Sequence, residues 1–201
     1  MSSHLAAENL MFAYPNSANV VEGFTIEVNS NERVALSAPS GRGKTTLCQL
    51  LAGYLEPTSG SVTVDGRPAS AQPGKPNPVQ LIWQHPEQAM DPYLRIAQSL
   101  EEAGGAQAQL MEALAIDKKW LTRYPHELSG GELQRCCIAR TLALQPKFIV
   151  ADEISTMLDA ITQAQIWKFL LSYCDHHDVG LVFVTHSDSL RERIATRTVH
   201  L

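Results

Sequence analysis

The stretch "RVALSAPSGRGKTTLCQLLAG", residues 33 to 53, restricts this chain more than any other. An apolar run, a loop with glycines at 41 and 43, and a helix-forming segment follow one another without a break. Strands buried on both faces read as nearly continuous apolar runs. Val34 to Ser37 therefore predicts a central strand, and Lys44 to Leu51 the helix after it. The loop between them fits the phosphate-binding pattern G-x-x-x-x-G-K-S/T, except that Ala38 stands at the first glycine. Gly41 and Gly43 let backbone N–H groups crowd round phosphates at a helix N-terminus. Lys44 is placed to reach β- and γ-phosphates, and the Thr45 hydroxyl to ligate Mg2+. Ala38 precedes Pro39, which pushes it into the extended region at negative φ. Alanine there avoids the left-handed penalty of about 1–2 kcal/mol, so the loop reads as functional. Its expected nucleotide contacts are Ala38, Pro39, Ser40, Gly41, Arg42, Gly43, Lys44, Thr45 and Thr46.

The rest of the chain repeats the α/β theme. Short β-rich runs, "FTIEVN", "SVTVDG", "VQLIWQ", "KFIVAD", "LVFVTH" and "TRTVHL", alternate with helix-period segments. That alternation predicts parallel strands joined by crossover helices. "EPTSGSVTVDGRP" reads as a turn and a hairpin, hence an antiparallel β edge. Residues 87 to 127 change character: "RIAQSLEEAGGAQAQLMEALAI" is helical and broken at Gly104–Gly105. This segment reads as a small helical lobe inserted in a core made of 1–86 and 128–201. With 201 residues, 44% of them hydrophobic, one domain of this kind has enough apolar material for a core.

Charge and composition narrow the function classes. A net charge of −5 argues against a nucleic-acid surface built on a general basic field. No run of 18 apolar residues predicts a membrane span, and Met1 to Asn9 lacks the apolar stretch of a secretory signal. The expected compartment is the cytosol. Cys48, Cys136, Cys137 and Cys174 form no C-x-x-C pair and read as buried thiols. "CDHHD" at 174–178 matches no standard zinc spacing and reads as a solvated helix end.

Two further stretches carry chemistry. In "KFIVADEISTMLDA", Phe148 to Ala151 predict a buried strand with Asp152 and Glu153 at its carboxyl end, where open α/β sheets bind ligands. Asp152 is placed to hold Mg2+, and Glu153 to orient and polarise an attacking water. In "ELSGGELQRCCIARTLAL", Ser129-Gly130-Gly131-Glu132 is an S-x-x-E capping box. Two glycines in the first turn weaken a helix, and they make sense if a phosphate must approach its N–H groups closely.

"LSGGELQR" resembles the signature motif of the ATP-binding cassette (ABC) ATPases. Tyr14 in "FAYP", Gln84 in "IWQH", Asp159 in "STMLDA" and His186 in "VTHS" match that family's other stations in order. The resemblance covers almost the whole chain. It implies a P-loop NTPase of ABC type: a mostly parallel sheet flanked by helices, an antiparallel β edge and an inserted helical lobe. It also implies roles. Tyr14 stacks on adenine, Gln84 senses Mg2+ and the attacking water, and His186 holds the γ-phosphate. Ser129, Gly130, Gly131 and Glu132 form the grip on ATP bound to a second subunit, and Asp159 lines the pair's interface. Ile154 departs from the proline that usually follows the glutamate, and Met157 from a common alanine. Both departures imply altered packing near that interface rather than lost hydrolysis.

"QHPEQAMDPYLRI", with Asp91–Pro92, and "YPHELSGGE" look most like the dipeptide/oligopeptide/nickel importer branch. That likeness implies ATP and Mg2+ as ligands, and a homodimer or a heterodimer with a second ABC ATPase subunit. It also implies membrane permease subunits as partners, a solute-binding protein as an indirect one, and a place on the cytoplasmic face of the inner membrane. The sequence leaves off after "TRTVHL", so the extra C-terminal segment of many importers is not expected. A soluble, non-transport ABC ATPase is the alternative, but it usually carries coiled-coil, tandem or basic additions. A small-molecule P-loop kinase would share only the phosphate loop.

Overall fold

The computed structural model describes residues 2–70, 74–105, 107–156 and 158–201. Met157, and residues 71–73 of the loop expected at 69–78, lie outside the described residues. The chain runs β1 (His4–Ala13), β2 (Asn19–Asn29), β3 (Arg33–Ser37), α1 (Lys44–Leu51), β4 (Ser59–Val64), β5 (Arg67–Pro68) and β6 (Val79–Ile82). Then come α2 (Ile96–Glu101), α3 (Ala108–Ala113), α4 (Gly130–Ala143), β7 (Phe148–Asp152), α5 (Ala160–His177), β8 (Gly180–Val184), α6 (Asp188–Ile194) and β9 (Arg197–His200). Among the described residues no helix is long and apolar enough to cross a membrane.

The chain divides into two compact units. The first comprises Met1–Leu81, Pro146–Glu153 and Cys174–Leu201. It carries a five-stranded sheet in the order β6-β7-β8-β3-β9, in which β7–β8, β8–β3 and β3–β9 pair in parallel. β7 and β8 are buried at every residue, as strands covered on both faces must be. The antiparallel sheet runs β2-β1-β4-β5, and β4 turns into β5 through Asp65 and Gly66, both at positive φ. Aspartate followed by glycine suits a tight hairpin turn because both central residues must be left-handed.

β1 is a strand that the sequence patterning did not reveal. Leu5, Ala6 and Ala7 are buried in a row, Glu8 and Asn9 are exposed, and Asn9 adopts φ 48 where the register with β2 and β4 slips. A bulge of this kind erases the period-2 signal.

The second unit comprises Ile82–Gln145 and Ile154–Tyr173, taking in residues 87–127 and extending on both sides of them. It is helical. α2 and α3 are short and separated by Gly104 and Gly105, both at positive φ. α4 and most of α5 are its long elements, and in α4 Cys136, Ile138 and Leu142 are fully or almost fully buried.

Candidate functional site

The phosphate loop lies in the first unit, between β3 and α1. Gly41 and Gly43 both adopt φ 77. A Cβ on Gly43 would approach the Val20 side chain to 2.7 Å and its carbonyl oxygen to 2.8 Å, so both dihedral and space demand glycine there. Ala38 is not among the residues at positive φ, in keeping with the restriction imposed by Pro39. Lys44 is buried, and its Nζ donates to the carbonyls of Ala38 at 2.9 Å and Pro39 at 3.1 Å. Those carbonyls hold the ammonium at the loop. Ser40, Gly41, Arg42 and Thr45 are exposed, and Thr46 is buried.

The carboxylates stand at the end of β7. Asp152 is 2% exposed, and its Oδ1 has no hydrogen-bond partner among the described residues. Burial pushes its carboxyl above the usual range, with the Glu153 charge adding to the rise; the Thr45 hydroxyl, Lys44 and His186 oppose it. A buried, half-partnered carboxylate beside a threonine hydroxyl is a hard-oxygen donor set of the kind Mg2+ takes. Glu153 adopts φ 49, a left-handed conformation that strains a non-glycine residue by about 1–3 kcal/mol. Its backbone N–H donates to Val184 O at 3.2 Å, and its Oε1 meets His186 Nε2 at 2.7 Å. Glu153 and His186 are thus brought together at the carboxyl ends of β7 and β8.

Tyr14, just past β1, is 43% exposed. The Phe12 ring meets it edge-on with centroids 4.9 Å apart, and its hydroxyl is 3.2 Å from Thr46 Oγ1. A half-exposed ring fixed at its edge and its hydroxyl is a suitable stacking platform for a base. The Tyr14–Thr46 link is one that sequence reading did not supply, since nothing in the spacing of 14 and 46 signals it.

Gln84, Ser129 to Glu132 and Asp159 belong to the second unit. Ser129 caps α4: its Oγ is 2.9 Å from Glu132 Oε2, and its backbone N–H donates to the same oxygen at 2.8 Å. That backbone bond, with the Ser129 hydroxyl, lowers the Glu132 carboxyl. Among the described residues nothing lies within 4 Å of where a Cβ on Gly130 would stand, and its φ is not positive; a Cβ on Gly131 would meet only Leu158 Cδ2 among them, at 3.3 Å. Asp159 Oδ1 accepts from the backbones of Ile161 and Thr162, both at 3.0 Å, so it caps α5. Ile154 is buried. Half-buried Gln84 lines an apolar groove of about 320 Å³ with Met90, Leu128, Leu133 and Gln134.

The ABC transporter family model matches residues 21–156. The chain belongs to the ABC transporter family. It is an ATP-binding (nucleotide-binding) domain of the ABC ATPase type. It is 31% identical to the glutathione import ATP-binding protein of Pectobacterium atrosepticum, over 96% of this chain and 35% of that protein. The chain thus spans about a third of that relative's length. It is 34% identical to the thiamine import ATP-binding protein of Escherichia coli K12, over 88% of this chain and 79% of the relative. A solved ATP-binding subunit of an ABC transporter shares the fold, with a TM-score of 0.83 at 24% identity over 98% of this chain and 85% of that one. An ATP-binding cassette solved with ADP and Pi also shares it, with a TM-score of 0.81 at 22% identity over 98% and 94%.

Proposed function

We propose that this ABC domain is the ATP-hydrolysing subunit of an importer, working as a head-to-tail pair beneath a membrane permease on the cytoplasmic face of the membrane. The observation that carries the pairing is bare Gly130. Its dihedral does not demand glycine there, nor does any described neighbour. A helix N-terminus stripped of side chains and left open suits an incoming phosphate. The ATP of a second subunit, homologous or identical, supplies one.

ATP binds the first unit through the loop amides, Lys44 and the Tyr14 ring. Thr45 and Asp152 are the residues that would hold Mg2+, which would supply neutralisation of the phosphate charge. Lys44 exchanges the Ala38 and Pro39 carbonyls for phosphate oxygens. Glu153 orients a water and takes its proton as the water oxygen bonds to the γ-phosphorus and the bond to the bridging oxygen breaks. His186, already paired with Glu153, steadies that carboxylate and contacts the γ-phosphate. Ser129 to Glu132 and Asp159 serve the partner's nucleotide.

The importer reading is supported by relatives whose names describe glutathione, thiamine and sulfate/thiosulfate import. Within it, Asp91–Pro92 and "YPHE" favour the dipeptide/oligopeptide/nickel branch, and glutathione is itself a tripeptide. The cargo is then a peptide, nickel or a related small solute delivered by a solute-binding protein. The experiment is co-purification of the Glu153→Gln chain with candidate permeases, with and without ATP. An ATP-dependent pair bound to a permease is expected; a chain that binds ATP yet never pairs with itself, another cassette or a permease would defeat the reading.

A further inference from the structure

One face of α4 is stitched to the segment that carries Gln84. Gln134 Nε2 donates to the Trp83 carbonyl at 3.3 Å, and the Cys137 thiol donates to the Pro86 carbonyl at 3.3 Å. Residues three apart share one face of a helix, and these two reach carbonyls that are likewise three apart, on either side of Gln84. Both donors are buried, Gln134 at 2% exposure and Cys137 at 3%. Burial pushes the Cys137 thiol up, which keeps its proton in place for donation.

Gln134 is a poor choice for stability alone. Its Oε1 is buried and has no hydrogen-bond partner among the described residues. A buried acceptor left without a partner costs about 1–3 kcal/mol. A leucine would fill the same place against Leu133 and the groove without an orphaned oxygen. What a leucine would lose is the bond to Trp83, next to Gln84.

We propose that Gln134, with Cys137 one turn behind it, is a positioning residue that locks the Gln84 segment to the helix whose first turn carries Ser129, Gly130 and Gly131. A displacement of Gln84 and a displacement of that turn are then one event. Gln134 touches no nucleotide; it acts through the two elements it joins. The proposal rests on the composite-site reading above and adds to it the route by which one half-site learns the state of the other.

The test is hydrogen–deuterium exchange on the full chain carrying Glu153→Gln, which holds ATP without turnover, with and without Mg-ATP. In that parent, ATP is expected to slow exchange both at 83–86 and at 129–133. Adding Gln134→Leu relieves the unpaired Oε1 and removes the donor to the Trp83 carbonyl, opposing effects, so the melting temperature is expected to stay close to the parent's, with ATP affinity within about threefold and the 83–86 response intact. Protection at 129–133 should be lost, and the Gln134→Leu chain with native Glu153 should turn over ATP at least about tenfold more slowly. A merely structural glutamine would instead lower the melting temperature and weaken both responses together. Equal protection of both segments in parent and variant would overturn the proposal and leave the composite site standing. No protection at 129–133 in the parent would overturn both. Should Gln134→Leu fail to fold, Cys137→Ala against Cys137→Ser reads the same link. Loss of coupling in the alanine variant and its retention in the serine variant support the proposal; identical behaviour overturns it.

Discussion

Asp152 and Glu153 are neighbours in sequence and opposites in circumstance. Asp152 lies inside the end of β7 with an unpartnered oxygen, whereas Glu153 turns out through a left-handed backbone to meet His186. Asp152 is therefore a charge that destabilises the empty chain, and Asp152→Asn is expected to melt at or above the wild-type temperature in metal-free buffer. Mg-ATP should then raise the wild-type melting temperature by several degrees and that of Asp152→Asn by much less. Equal stabilisation by Mg-ATP would remove Asp152 from the metal set. Ala38 gives the opposite kind of prediction. Its φ is not positive, so Ala38→Gly should leave ATP affinity within about threefold, under about 1 kcal/mol. A hundredfold gain, read by titration calorimetry, would show that the alanine marks a damaged loop. The negative φ of Ala38 was legible because proline constrains the residue before it. The left-handed Glu153 was not legible, since no local residue type signals it.

At the scale of elements, the first turn of α4 is where the pairing reading can be tested. Glycine is a weak helix former, by about 0.8–1.0 kcal/mol against alanine in an interior, and among the described residues Gly130 has open space around it. Gly130→Ala should therefore leave the chain as stable as before or slightly more so by thermal melting. It should still bind ATP with wild-type affinity. Pairing with ATP in the Glu153→Gln background should nevertheless weaken at least about tenfold, because a methyl now fills the space a phosphate needs. Undiminished pairing, measured by analytical ultracentrifugation, would make the glycine incidental. The buried strands β3, β7 and β8 and the helix α1 could be read from their apolar runs and the loop between them. β1 could not, because its bulge at Asn9 breaks the alternation a reader looks for. The bonds from α4 to Trp83 and Pro86 lie beyond sequence reading too, because they join carbonyls and side chains about fifty residues apart, and carbonyls leave no mark in a sequence.

At the scale of the whole molecule, the composite-site reading gives one chain two half-sites, one on each of its units. Lys44, Thr45, Asp152, Glu153 and His186 are on the first, and Ser129 to Glu132 and Asp159 on the second. The composite-site reading assigns these sets to different ATP molecules in a two-fold pair. A ligand shifts an equilibrium only by its differential affinity for the two states. The γ-phosphate provides that difference, because ADP offers nothing for Ser129 and Gly130 to hold. ATP should therefore favour the closed pair and ADP should not. Lys44→Ala destroys the first half-site, and Ser129→Arg fills the second with a bulky side chain. Each variant alone forms pairs whose two sites are both broken, so each should be close to inactive. A mixed pair joins the intact loop of Ser129→Arg to the intact signature turn of Lys44→Ala and regains one site. With random pairing in an equal mixture, half of the pairs are mixed, and activity should return to about a quarter of wild type. Mixed pairs shown by affinity-tag capture yet devoid of turnover would defeat the in-trans model. If wild type and Glu153→Gln alike stay monomeric with ATP, the pair needs a second, different cassette, and the same mixture belongs on that heterodimer.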